Sequence, residues 1–213
     1  MKRIVTIQDL SCVGKCALSV ALPVICAMGV ETAVLPTAVL STHTAFPDAF
    51  VHDLTGDFAP ISAHWKQQDI GFDAIYTGYL ASMDQVRLVE TFIDDYKTAE
   101  NLVVVDPVMA DHGKLYKGFD ADFVRAMASL CARADIIMPN MTEAAMLLGE
   151  ACNEANCDAD YREHLLRRLS GLGPRYVMLT GVRFENDNVG VAVYDQKTDS
   201  IFTHCRVRIP ANF

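Results

Sequence analysis

The chain has 213 residues, 51% of them hydrophobic, 8% aromatic and 21% charged, enough to bury a substantial core in one domain. Its 18 basic and 27 acidic residues leave a net charge of −9, which weighs against the basic face that a nucleic-acid binder needs; a nucleotide enzyme requires only a local positive site. No run of about 18 apolar residues is free of polar breaks, and Asp9 interrupts the amino-terminal apolar stretch before a signal peptide could form, so the expectation is a cytoplasmic protein with no membrane partner.

In chain order, Arg3 to Gln8 reads as a strand and Lys15 to Met28 as a helix that must accommodate Pro23. Ala33 to Leu40 is strand again, bent near Pro36, and Phe58 to Gln68 fits an amphipathic helix carrying Trp65. A short strand, Ala74 to Thr77, precedes a helix from Met83 to Tyr96 with Val86, Val89, Phe92 and Ile93 on one face. Leu102 to Val105 is the clearest buried strand. Helix is expected over Asp122–Ala132, Thr142–Leu148 and Arg162–Leu172, and strand over Ile136–Met138 and Tyr176–Leu179. Val189–Tyr194 and Ile201–Val207 read as a hairpin around Asp195 to Ser200.

Apolar strands alternating with helices imply a doubly wound, mainly parallel α/β sheet with an antiparallel edge. With no repeat, low-complexity run or linker, one domain over residues 1–213 is expected. The seven cysteines (Cys12, Cys16, Cys26, Cys131, Cys152, Cys157 and Cys205) are odd in number and lack CxxC spacing, so neither a disulfide framework nor a zinc site is expected. Cys12 and Cys16, four apart, read as small apolar fillers in a helix.

In such sheets ligands bind beyond the carboxyl ends of the strands. The segments there are Asp9–Gly14, Ser41–Thr44, Thr77–Tyr79, Asp106–Asp111, Pro139–Glu143 and Thr180–Gly181, a rim dense in acids, hydroxyls, Asn, His and Gly. Gly14-Lys15 is no P-loop: a Gly is needed where Asp9 stands and a Ser or Thr where Cys16 stands. Asp106, at the end of a buried strand and followed by Pro107, is placed to reach magnesium or its water; a turn cap is the other reading. Asn140 or Thr142 would cap the next helix, with Glu143 in its first turn at the positive end of the dipole. Two acids at adjacent strand ends point to one divalent site. His43 lies in a hydroxyl-rich loop, and Tyr79 beside Gly78 could stack on a flat ring or belong to the core.

Taken together, Ile7-Gln8-Asp9, the Ser41–Thr44 loop, Thr77-Gly78-Tyr79, Asp106-Pro107-Val108-Met109, Ala134 to Asn140 with Glu143, and Leu179-Thr180-Gly181 run in the order found in one family. The chain resembles the pyridoxal/pyridoxamine kinases of the ribokinase-like superfamily. The resemblance implies a homodimer that transfers the γ-phosphoryl of ATP to the 5′-hydroxymethyl of pyridoxal, pyridoxamine or pyridoxine. It implies that Asp106 and Glu143 organise magnesium and the phosphates, and that Asn140 and Thr180 line the nucleotide phosphate site. Asp111 would belong to a lid over ATP, and His43, Thr44 and Tyr79 would hold the pyridine ring. It leaves open whether potassium joins magnesium.

Two positions depart from the family pattern. Many relatives carry Ser after Ile-Gln, contacting the ring nitrogen; here Asp9 would hold a protonated pyridine nitrogen more strongly. The family's general base is the Asp of a Gly-Thr/Val-Gly-Asp motif that opens an anion-binding helix. This chain contains no such motif and reaches Phe213 about where relatives enter it, so the expectation is a base beyond Phe213 and little or no kinase activity from these 213 residues alone. The alternatives are a hydroxymethylpyrimidine kinase of the same superfamily and a non-catalytic binder derived from a kinase.

Overall fold

A computed structural model describes residues 1–44, 46–152 and 158–209. Cys157 and the last residues, 210–213, named above, lie outside the described residues. The chain packs as two compact units, Met1–Val103 and from Val104 onward.

The first unit contains β1 (Arg3–Ser11), α1 (Leu18–Ala27), β2 (Glu31–Leu40), β3 (Val51–Asp53), α2 (Thr55–Gln67), β4 (Ala74–Thr77) and α3 (Met83–Tyr96). Its strand order is β4-β1-β2-β3. β1 runs parallel to both neighbours, with Arg3 opposite Glu31 and Ile4 opposite Ala74, and β3 closes the edge antiparallel. The step from β1 to β2 through α1 and the return from β2 to β4 through α2 cross the sheet in opposite directions. Right-handed crossovers therefore put α1 and α2 on opposite faces.

Val5, Ile7, Leu35 and Ile75 are fully buried at the centre of this sheet. Phe58, Trp65, Phe72, Phe92 and Tyr96 form an aromatic cluster from α2, α3 and the turn before β4, with Phe92 stacked on Tyr96 at 4.3 Å. α3 matches the sequence expectation residue for residue. Val86, Val89, Phe92 and Ile93 are its buried stripe, Ser82 is its N-cap and Asp84 lies in its first turn.

The second unit begins within β5 (Leu102–Val105). It continues through β6 (Ala110–Asp111), β7 (Lys114–Leu115), α4 (Ala121–Ala132), β8 (Ile136–Ile137), α5 (Met141–Leu148), α6 (Ala159–Ser170), β9 (Tyr176–Phe184), β10 (Asn188–Asp195) and β11 (Ser200–Val207). The order is β11-β10-β9-β8-β5, parallel from β5 to β9 and antiparallel from β9 to β11; β6 and β7 form a separate small hairpin. Met127, Leu130, Ile137, Leu165, Leu166, Leu169, Val177 and Leu179 are fully buried. The first unit is thus a mainly parallel α/β layer, and the second joins parallel strands to the expected antiparallel hairpin.

The structure corrects several local expectations. β1 runs three residues past Gln8, so Asp9 lies inside the strand rather than after it, because Leu10 and Ser11 still pair with Val39 and Leu40. Thr180 and Gly181 likewise fall within β9, and Asp111 lies in the β6–β7 hairpin. α1 begins only at Leu18, which leaves Cys12 and Cys16 outside any helix. No helix among the described residues is long and apolar enough to cross a membrane.

Candidate active site

In the first unit, polar side chains gather at the carboxyl ends of β1, β2 and β4. Gln8 pairs with Pro36 but Leu10 pairs with Val39, so two residues of β2, Thr37 and Ala38, oppose the single Asp9. Such a bulge re-aims the local side chains. The Asp9 carboxylate is only 6% exposed, and Ser11 Oγ donates to its Oδ2 at 3.3 Å. Burial raises its pKa above the usual carboxylate range, opposed by Ser11 and by its own backbone amide.

Tyr79 is half-buried, and its phenol is pushed up by burial and then by the negative charge of Asp9, so the fold brings these two predicted residues together. His43 lies beyond β2, its amide donating to Val13 O at 3.0 Å and its ring edge-on to Phe46 at 5.0 Å. Gly14, at φ 129°, makes that placement possible, since a Cβ there would collide with the His43 ring. Thr44 is exposed at the same loop. Gly78 is required by close approach: a Cβ would lie 2.8 Å from Gln8 Cγ and Cδ. Thr42 and Thr77, placed on the rim by the sequence but given no role there, have buried hydroxyls with no hydrogen-bond partner among the described residues.

In the second unit, Asp106 follows β5 directly, and burial raises its carboxyl to about 7. Glu143 is 2% exposed. Its Oε1 accepts from the Met109 amide at 3.1 Å and its Oε2 from the Asn140 amide at 2.8 Å. Burial pushes it up to about 8; the amides of Asn140, Met109 and Ala110 oppose that shift, and the charge of Asp106 adds to it.

Asn140 is the N-cap of α5 and accepts from the Glu143 amide at 2.9 Å, completing a reciprocal capping box. Its Nδ2 also donates to Ala110 O at 2.8 Å. The Thr180 amide donates to Pro139 O at 2.9 Å, and Asn140 and Thr180 form a parallel bridge. Asp106, Glu143, Asn140 and Thr180 are therefore assembled on one strand-end rim. Asp111 stands apart on the hairpin, its Oδ1 accepting from the His112 amide at 2.8 Å. The hairpin is tied down at its root by Asn140, through Ala110, and at its turn by Thr142 Oγ1, which accepts from the Gly113 amide at 3.0 Å. Beside Thr180 opens a cleft of about 210 Å³ lined by residues that include Gly181, Arg183, Asp187 and Arg208.

No group of three or more His, Cys, Asp or Glu side chains is arranged around a metal position among the described residues. That donor set does not fit an all-protein cage. It fits magnesium, which is held by one or two carboxylates with water and phosphate oxygens completing the shell. Asp106 is the direct ligand candidate, being a half-buried carboxylate whose charge no described cation offsets. Glu143 already accepts backbone amides at both oxygens and braces the two loops that carry Asp106 and Asn140.

Comparison with known proteins identifies the family. The family described as phosphomethylpyrimidine kinase matches residues 21–212. The pyridoxine/pyridoxal/pyridoxamine kinase of Bordetella avium is 30% identical over 191 residues, 83% of this chain and 60% of that protein. Pyridoxal kinase from Lactobacillus plantarum superposes with a TM-score of 0.88 at 35% identity, covering 100% of this chain and 75% of that one. A Bacteroides thetaiotaomicron protein, provisionally described as a phosphomethylpyrimidine kinase and crystallised with pyridoxal, gives a TM-score of 0.90 at 39% identity, covering 96% and 72%. The chain spans at most three-fifths of the length of the curated relatives it matches here, 60% for the Bordetella protein.

Proposed function

The chain belongs to the phosphomethylpyrimidine kinase family, and from that membership we propose that the protein phosphorylates the 5′-hydroxymethyl group of a vitamin B6 vitamer with ATP. The observation that carries the choice of substrate is Asp9, a buried carboxylate beside Tyr79 with no basic partner among the described residues. A protonated pyridine nitrogen would supply the missing positive charge, and the Asp9 carboxylate would accept its proton in a charge-assisted hydrogen bond. Tyr79 and His43 would flank the flat ring, with Thr44 at the rim.

On the nucleotide side, Asn140 and Thr180 would meet the phosphates, and Asp111 would approach ATP from the hairpin. Asp106, with Glu143 behind it, would hold magnesium, whose chemistry there is the neutralisation of phosphate charge. The residues of this chain act by positioning: Glu143 and Asn140 hold the Asp106–Ala110 loop to the start of α5 through two hydrogen bonds, and two more between them fix the capping box. Pre-placed groups of this kind account for most of the catalysis of phosphoryl transfer.

Titration of the protein with pyridoxal and with hydroxymethylpyrimidine tests the proposal. Tighter binding of pyridoxal, weakening as its ring nitrogen loses its proton, supports it. Tighter binding of the pyrimidine would return the assignment to the second reading, a hydroxymethylpyrimidine kinase. The assembly proposed is a cytoplasmic homodimer, checked by sedimentation.

A further inference from the structure

Gln85 is a completely buried amide in the first turn of α3, and every polar atom of its side chain is engaged. Its Oε1 accepts from the Ala81 amide at 2.8 Å. Its Nε2 donates to Thr37 O at 3.0 Å and to Thr55 Oγ1 at 2.9 Å. Ser82 and Gln85 have the spacing of a capping box, in which the Gln side chain would return to the N-cap amide. Ser82 does accept from the Gln85 amide, but the Gln85 side chain reaches instead to Ala81, β2 and the first residue of α2.

These contacts converge on one short segment. Thr37 Oγ1 donates to the Tyr79 carbonyl at 3.2 Å, while the Thr37 carbonyl is held by the Leu54 amide as well as by Gln85. The backbone at Tyr79–Leu80–Ala81 is thus tied at both ends, at Ala81 by Gln85 itself and at Tyr79 by the Thr37 that Gln85 holds. Leu80 between them is fully buried. The same Thr37 lies in the bulge opposite Asp9. A buried amide whose bonds are all made defines one geometry, because any displacement leaves a donor or acceptor unpaired.

We propose that Gln85 is a positioning residue for the aromatic substrate: through Ala81 and Thr37 it sets the place of Tyr79 relative to Asp9. This rests on the reading that Tyr79 and Asp9 bind the vitamer ring. Gln85 touches no substrate, and its effect passes entirely through the backbone of the Tyr79 segment.

The test is binding of pyridoxal and of ADP, followed separately by titration calorimetry, to the wild-type protein and a set of variants. Gln85→Met, close in volume but without the amide, is expected to weaken pyridoxal binding about tenfold and to leave ADP binding within about twofold. Thr37→Val, a gentler change that removes only the tie to Tyr79, is expected to weaken pyridoxal in the same direction. Thr55→Ala, which loses a Gln85 bond that does not lead to Tyr79, is expected to lower the melting temperature with pyridoxal affinity kept.

In a Tyr79→Ala background, Gln85→Met should have no further effect on pyridoxal; a merely structural loss would remain additive. Unchanged pyridoxal affinity in folded Gln85→Met, or in Thr37→Val should the first variant not fold, overturns the positioning role alone. Failure of the wild-type protein to bind pyridoxal overturns the ring-binding reading and this inference with it.

Discussion

Replacing Asp9 with Asn separates function from stability. The side chain keeps its shape and its place beside Ser11, but it can no longer carry charge. A hydrogen bond to a charged group is worth roughly 1.5–3 kcal/mol net, so removing the charge should weaken pyridoxal roughly 10- to 150-fold. The ligand-free protein should respond in the opposite sense. Burial raises the Asp9 pKa, so the native state holds this proton more tightly than the unfolded chain does. The resulting stability is fully present below the ordinary carboxylate range and is lost as pH rises through the raised value. At about pH 7.5 a charged Asp9 therefore burdens the empty fold, and Asp9→Asn relieves it. The expected result is weaker pyridoxal binding by calorimetry together with an equal or higher melting temperature, the gap closing at acid pH. Binding within about twofold of wild type would refute the charge argument.

Other expectations follow from the same geometry. Because Asp106 and Glu143 are raised to about 7 and about 8, the ligand-free protein should lose stability as pH rises through those values, read by thermal melts. Binding of magnesium with ADP at neutral pH should then release protons, seen as a calorimetric heat that changes with the ionisation enthalpy of the buffer; a buffer-independent heat would contradict it. Gly14→Ala should cost about 1–3 kcal/mol in urea unfolding and displace His43, since the position combines φ 129° with a collision.

Much of the fold was legible because burial leaves a period in the sequence. The apolar stripe of Met83–Tyr96 and the run Leu102–Val105 appear in the structure with the bounds that the pattern predicts. β3, β6 and β7 were not foreseen: each has only two or three residues and little or no apolar side chain to bury, so backbone pairing alone defines them. The early end assigned to β1 has a related cause. Gln8, Asp9 and Ser11 are polar, and only pairing with β2 shows that the strand continues.

The site divides along the same line. Asp106, Asn140, Glu143 and Thr180 were legible because acids, caps and hydroxyls at strand ends are visible once the strands are placed. The capping box confirms a local pattern, since residues three apart must meet at a helix start. Gln85 was not legible as part of any site, although Ser82 and Gln85 have capping-box spacing. Its partners Thr37 and Thr55 lie 48 and 30 residues away, and no local pattern records which distant carbonyl a buried amide will find. The sequence by itself determined the layered α/β class, most of the helices and strands, and the chemical types along the rim. Only the tertiary structure decided that Asp9 is buried beside Tyr79 without a basic partner among the described residues, that Glu143 braces two loops through both oxygens, and that one amide on α3 ties the Tyr79 segment at both ends. Periodicity is written along the chain, whereas the satisfaction of buried polar groups is settled between segments far apart in it.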